Sequence, residues 1–168
     1  MLRLRPYKSC DARYIVSWTK DETAFRKWTA DRFEKFPITA EDFDNYYKKS
    51  DDSDSIFAMT AFDESGVVGH LLMRFTDKEK NCLRFGFIIV DDVKRGKGYG
   101  KQMLDLAVKY AFDILKVQKI TLGVFANNEP ARRCYNSAGF RETGVIEKYS
   151  IMGEEWKCLE LEYCAKTQ

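Results

Sequence analysis

The feature that most constrains the fold lies at residues 85–125, where strand, turn, helix and strand signals follow one another without a gap. "FGFIIV" (85–90) is an apolar run of strand length. "RGKGYGK" (95–101) packs three glycines and three cations into a turn. "QMLDLAVKYAFDIL" (102–115) has helical periodicity, and "KITLGVF" (119–125) is a second short apolar strand. This order predicts a βαβ unit whose two strands are parallel neighbours. Within the helix, expected over 99–116, Lys101, Asp105, Lys109 and Asp113 recur every fourth residue and form one polar stripe. Nearly every other position is apolar, so the helix is expected to be buried on most of its circumference.

The flanking segments extend the pattern. "MLRLRPY" alternates and stops at Pro6, as an edge strand does. Helices are expected over 10–18 and 38–49, the second with a capping-box spacing from Thr39 to Asp42. A polar loop (50–55) precedes a hairpin formed by 56–62 and 67–75, and 81–90 forms the next strand. "NNEPARRCYNSAGF" (127–140) predicts a short helix with Pro130 in its first turn and Gly139 at its stop. Two last strands fall at 144–152 and 156–164, joined near Gly153.

Composition narrows the function classes. A chain of 168 residues without repeats or linkers reads as one domain, 1–168. A net charge of +2 does not suggest nucleic-acid binding, although "DDSDS" (51–55) and "KRGKGYGK" (94–101) concentrate opposite signs. No apolar stretch has membrane-spanning length and the start lacks a signal-peptide core, so a cytoplasmic protein with no membrane partner is expected. The five cysteines form no C-x-x-C pair and their number is odd, against a disulfide scaffold. One histidine, His70, excludes a multi-histidine metal site, and no metal is expected.

A glycine turn entering a helix leaves backbone N–H groups unpaired, and these together with the helix dipole favour an anion. Three phosphate motifs compete. A Walker A loop requires G-x-x-x-x-G-K-[ST], and Lys101 and Gln102 stand in the wrong places after Gly96. A dinucleotide fingerprint requires G-x-G-x-x-G, whereas the spacing here is G-x-G-x-G with no acid in "VFANN". R-x-x-G-x-G is matched by Arg95, Gly98 and Gly100.

Joined to the downstream "ITLGVFANNEPARRCYNSAGF", this motif resembles the GNAT superfamily of acetyl-coenzyme A-dependent N-acetyltransferases. The resemblance covers about 83–141, with the nearest likeness to the ribosomal-protein and spermidine acetyltransferase branch. It implies a single α/β (α+β) domain: a mixed sheet of about six to seven strands, a βαβ coenzyme-binding core and flanking helices. It implies acetyl-coenzyme A as cosubstrate, with its pyrophosphate on the backbone of Gly96, Lys97, Gly98, Tyr99, Gly100 and Lys101 and with Arg95 adding charge. The pantetheine arm would lie along Ile88, Ile89 and Val90, where the two parallel strands part.

The family tyrosine matches Tyr135, implying a general acid for the departing thiolate. A phenol of pKa about 10 can donate to a thiolate whose thiol has pKa about 8.5. Tyr135 also shares a helical face with Ala131, Cys134 and Ala138, so a core role stays open. Asn128 matches a family asparagine that holds the coenzyme arm, and a helix cap is its other reading. Cys134 reads as packing. No carboxylate stands in 83–90, and Asp91, Asp92, Glu142 and His70 lack a positional match, so no base is assigned. The acceptor is an amine of open identity: a protein N-terminus, a polyamine or another small amine. Acidic residues at 21, 22, 41, 42 and 44 could attract a cation or simply be solvated. The edges of a mixed sheet are compatible with a homodimer. A non-catalytic acyl-coenzyme A sensor on the same fold is the alternative function.

Overall fold

The computed structural model describes residues 1–50 and 54–165, so part of the expected polar loop, 51–53, lies outside the described residues. Seven strands form one mixed sheet: β1 (Arg3–Pro6), β2 (Ile56–Asp63), β3 (Gly66–Phe75), β4 (Cys82–Val90), β5 (Lys119–Phe125), β6 (Phe140–Ile151) and β7 (Glu154–Tyr163). Their order is β1-β2-β3-β4-β5-β7-β6. Only β4 and β5 run parallel, as the strand–helix–strand order predicts. The helices are α1 (Ala12–Ile15), α2 (Glu22–Thr29), α3 (Ala40–Lys49), α4 (Tyr99–Asp113) and α5 (Glu129–Ser137). Among the described residues, no helix is long and apolar enough to cross a membrane.

The sheet separates two cores. Leu71, Met73, Leu83, Phe85, Ile120 and Leu122 pack with Met103 and Leu104 of α4 and with Phe140. On the other face Leu72, Phe87 and Ile89 pack with Ile15, Phe25 and Phe43 from the N-terminal helices. A fully buried side chain of this size stabilises the fold by roughly 1.5–3 kcal/mol. In β3 the stretch Leu71–Met73 alternates between the two faces. β4 does not keep this alternation: Leu83, Phe85, Phe87 and Ile89 are all odd-numbered, yet the first two enter one core and the last two the other. A bulge makes the difference. Pairing with β3 passes from Leu72↔Gly86 to His70↔Ile89, and Phe87 has φ 47. The extra residue turns the end of the strand over.

The local signals worked where the caps are explicit. Thr39 Oγ1 accepts the Asp42 N–H at 3.1 Å, and the Asp42 carboxylate accepts the Thr39 N–H at 2.9 Å, closing the expected capping box of α3. Helix α2 was not expected from the sequence. Its N-cap is Asp21, whose carboxylate accepts the Ala24 N–H at 2.8 Å. The single helix expected over 10–18 is instead two 3-10 turns around one turn of α1. Buried Asp11 holds this segment, accepting from Arg5 at 2.7 and 2.8 Å, the Lys8 N–H at 2.9 Å and Thr60 at 2.8 Å.

Helix α4 also departs from expectation. Its stripe is paired, Lys101 with Asp105 at 2.6 Å and Lys109 with Asp113. However, full burial is confined to Met103, Leu104, Ala107, Val108 and Ala111, and Ile114 is 64% exposed. A helix on an outer layer meets the sheet along one face, so apolar residues at its flanks stay half-covered.

Candidate active site

The parallel pair β4–β5 is joined only from Cys82↔Lys119 to Phe85↔Leu122. Beyond that both strands continue, β4 to Val90 and β5 to Phe125, without pairing to each other. The gap is held from outside: β4 stays on β3 through Gly69↔Val90, and β5 stays on β7 through Phe125↔Cys158. Ile88, Ile89 and Val90 line this free end of β4. Gly86 borders it with no atom within 4 Å of an added Cβ. Gly123 is a close approach, because a Cβ there would meet Arg84 Nη2 at 2.8 Å and Cys158 Sγ at 3.0 Å.

The glycine turn sits where β4 ends and α4 begins. Gly96 and Gly98 have φ 75 and 83, a region other residues enter only with strain. The first bond of the helix is the Gln102 N–H to the Gly98 carbonyl at 3.1 Å. Among the described residues, no backbone N–H from Arg95 to Lys101 finds an acceptor of ordinary geometry. Seven consecutive donors at the positive end of a 15-residue helix make a site for an anion.

The cations around this turn are less available than the sequence suggests. Arg95 donates to the Val90 carbonyl at 3.0 Å and the Trp18 carbonyl at 2.8 Å, tying the turn to β4 and the N-terminal segment. Lys94 turns away to Ser65 and Asp63. Tyr99 donates to Asp63 at 3.0 Å, and the Ser65 hydroxyl and N–H, helped by Tyr99 and Lys94, draw the Asp63 carboxyl down to about 2. Lys97 donates to the Val93 carbonyl at 3.2 Å. Thus the side chains of Arg95, Lys97, Tyr99 and Lys101 all have protein partners, and the backbone is what the turn presents.

Helix α5 lies against this turn. A Cβ on Gly100 would meet Cys134 Sγ at 2.9 Å, so glycine permits the contact and Cys134 is packing. Burial pushes the Cys134 thiol up. Tyr135 is 7% exposed in the α4-side core, and burial holds its hydroxyl well above the usual phenol value. Asn128 occupies the N-cap of α5 but makes no side-chain cap bond, which leaves its amide uncommitted by the helix.

On the opposite face the parted strands open into a cleft of about 420 Å³. Its walls are Phe85–Phe87 of β4, Gly123–Phe125 of β5, the end of α2, Tyr46 and Tyr47 of α3, and Tyr149 of β6. The carboxylates weighed as bases, none of them assigned, are elsewhere: Asp91 caps the turn at the Val93 N–H, Asp92 pairs with Lys20 at 3.5 Å, and Glu142 pairs with Arg132 at 2.9 Å. His70 is fully buried. Burial drives it down to about 3, so it is neutral, and it touches the cleft only through the Tyr47 hydroxyl at 2.6 Å. The acidic residues of the N-terminal helices do not line the cleft either. Asp21 and Asp42 are caps, Glu22 pairs with Arg26, and Asp44 pairs with Lys48. The cleft itself was not legible in the sequence, because its walls come from segments far apart in the chain.

A parallel pair that parts at its carboxyl ends, with bare helix-start amides on one face and an open cleft on the other, defines an acyl-coenzyme A-dependent acyltransferase class. Within it the chain belongs to the GNAT acetyltransferases: the family model "Acetyltransferase (GNAT) domain" matches residues 1–141. A spermidine N(1)-acetyltransferase from Vibrio cholerae is 26% identical over 153 residues, covering 90% of this chain and 86% of that protein. An uncharacterised N-acetyltransferase of the SPbeta prophage in Bacillus subtilis is 25% identical over 113 residues, 67% of this chain and 63% of the relative. The crystal structure of the Vibrio cholerae spermidine N-acetyltransferase with CoA and spermine superposes with a TM-score of 0.79 at 23% identity, covering 96% of this chain and 94% of that one.

Proposed function

We propose that the chain transfers the acetyl group of acetyl-coenzyme A directly to a primary amine. The observation that carries this reading is the run of unpaired N–H groups from Arg95 to Lys101, set beside strands that part at the same end of the sheet. The pyrophosphate would take these amides. The pantetheine arm would run along Ile88, Ile89 and Val90, with Asn128 and Tyr135 on the α5 side. The thioester would then meet the amine at the gap, where the cleft opens. The amine nitrogen attacks the carbonyl carbon, the C–N bond forms, the C–S bond breaks, and the thiolate takes a proton.

Tyr135 is the proton donor in this scheme. Its burial keeps the hydroxyl protonated at any working pH. The same surroundings raise the proton affinity of a thiolate formed beside it, so the two partners shift together. No carboxylate lines the cleft among the described residues, and the amine proton leaves to water in the open cleft.

The test is free-thiol release from acetyl-coenzyme A across a panel of amines, with calorimetry for coenzyme A. Turnover that depends on the amine supports the proposal. Coenzyme binding without turnover on any amine selects a sensor instead, and no heat with coenzyme A refutes both. Tyr135→Phe should lower kcat by about 10²-fold or more while coenzyme affinity stays within error. Unchanged kcat removes Tyr135 from the acid role.

A further inference from the structure

The cleft beyond the parted strands has a definite electrostatic character. Its described lining residues include four cations, Lys27, Arg32, Arg74 and Arg84, and no carboxylate. Two of the cations are forced together by the sheet. Arg74 of β3 and Arg84 of β4 are direct cross-strand partners, and their neighbours Leu72 and Gly86 place them on the cleft face. Like charges directly opposite each other cost stability. One carboxylate, Glu160, answers Arg84 at 3.3 Å, alongside Thr121 at 3.3 Å. The remaining polar lining is also rich in donors. The Trp28 indole N–H is buried without a hydrogen-bond partner, and the Tyr47 hydroxyl is engaged with His70. The apolar walls are aromatic: Trp28, Tyr46, Phe87, Phe125 and Tyr149.

A polycation would meet like charge on these walls and find no described carboxylate to hold its second ammonium. An acceptor that is amine at one end and anion at the other suits them. Its nitrogen would approach the free end of β4 beyond Gly86, and its anion would reach the Arg74–Arg84 pair, whose Arg84 guanidinium lies over Gly123. We infer, taking the acetyltransfer reading as given, that the acceptor is a small primary amine bearing a carboxylate or phosphate on an aromatic or apolar body. The described walls offer a polyamine no carboxylate.

Matched pairs test this directly. Phenylalanine and phenethylamine, tyrosine and tyramine, and tryptophan and tryptamine differ only in the carboxylate. Phosphoethanolamine and ethanolamine separate phosphate from carboxylate as the anion, and spermidine is the polycation arm. The readouts are calorimetric binding to the coenzyme A-loaded protein and kcat/KM by thiol release. In at least one pair the anionic member should exceed its partner by about tenfold or more, the worth of a charge-assisted contact, and spermidine should fall below it. Arg74→Gln, an exposed position, should shrink that ratio while coenzyme A affinity is kept. Spermidine or the neutral-bodied amines outperforming every anionic member overturns the inference, as does an unchanged ratio in Arg74→Gln. So does failure of every anionic member to bind. Loss of coenzyme A binding in the unsubstituted protein is a different result, and it refutes the acetyltransfer reading itself.

Discussion

Gly100→Ala, made with and without Cys134→Ala, measures how tightly the glycine turn is wedged against α5. A Cβ at position 100 would stand 2.9 Å from Cys134 Sγ, closer than a relaxed contact, and 3.8 Å from Val90 Cγ2. Cys134 has one side-chain torsion and is half-buried, so α4 and α5 must separate slightly to admit the methyl group. Overpacking of this kind costs about 1–3 kcal/mol, against a helix-propensity gain of up to about 1 kcal/mol. The net expected loss is about 1–2 kcal/mol. With Cys134→Ala the sulfur is gone, and the same Gly100→Ala change should lie between neutral and stabilising by up to about 1 kcal/mol. The coupling in the double-mutant cycle should therefore be about 1–3 kcal/mol. Urea unfolding followed by circular dichroism, with m-values compared, gives each corner of the cycle. Equal losses in the two backgrounds would refute the claim that the sulfur sets the limit. Coenzyme A affinity should fall with Gly100→Ala and recover in the double variant, since the Gly100 and Lys101 amides move with the turn.

Gly98→Ala should lose about 1–2 kcal/mol from its left-handed conformation and weaken coenzyme A binding, by urea unfolding and calorimetry; wild-type values in both would refute the role of that turn. His70 has its folded pKa depressed to about 3, so its contribution is complete above the unfolded value and is lost as pH falls below it. From an unfolded value near 6.5, the loss between pH 7 and pH 5 should be about 2 kcal/mol. Unfolding free energies across that range should fall less steeply in His70→Gln, and identical slopes would dismiss the assignment. Asp11→Ala should cost about 3 kcal/mol or more by chemical denaturation, because Arg5 and Thr60 lose their shared partner in the interior.

The parts of this molecule legible in the sequence are those with strong local punctuation. The βαβ unit shows because β5 is short and mostly apolar and because glycines separate β4 from α4. Helix α3 shows because Thr39 and Asp42 close a capping box. Helix α2 escaped because it is only eight residues long, "ETAFRKWT", too short a window for Ala24, Phe25 and Trp28 to stand out as one face. The segment 10–18 has helical content but is bent by the need to place Ala12, Ile15 and Trp18 under the sheet while Asp11 reaches Arg5 and Thr60. At the site, the backbone run 95–101 was readable because glycine spacing reports conformation. The engagements of Arg95, Lys94 and Tyr99 were not, since their partners Trp18, Ser65 and Asp63 come from distant turns. For the same reason the cationic cleft was invisible: Lys27, Arg32, Arg74 and Arg84 are ordinary surface residues until the chain folds them around one opening.

The bulge at Phe87 gives β4 two independent allegiances. Leu83 and Phe85 are committed to the layer that carries α4, and Phe87 and Ile89 to the layer that carries α1 to α3. The half of the molecule that would grip the acyl carrier can thus stay rigid while the half that would choose the recipient is remodelled. Trimming one residue from Phe87–Ile88 would remove that partition. The last stretch of the strand would rotate by half a turn, its greasy residues would trade layers, and both halves would fail at once.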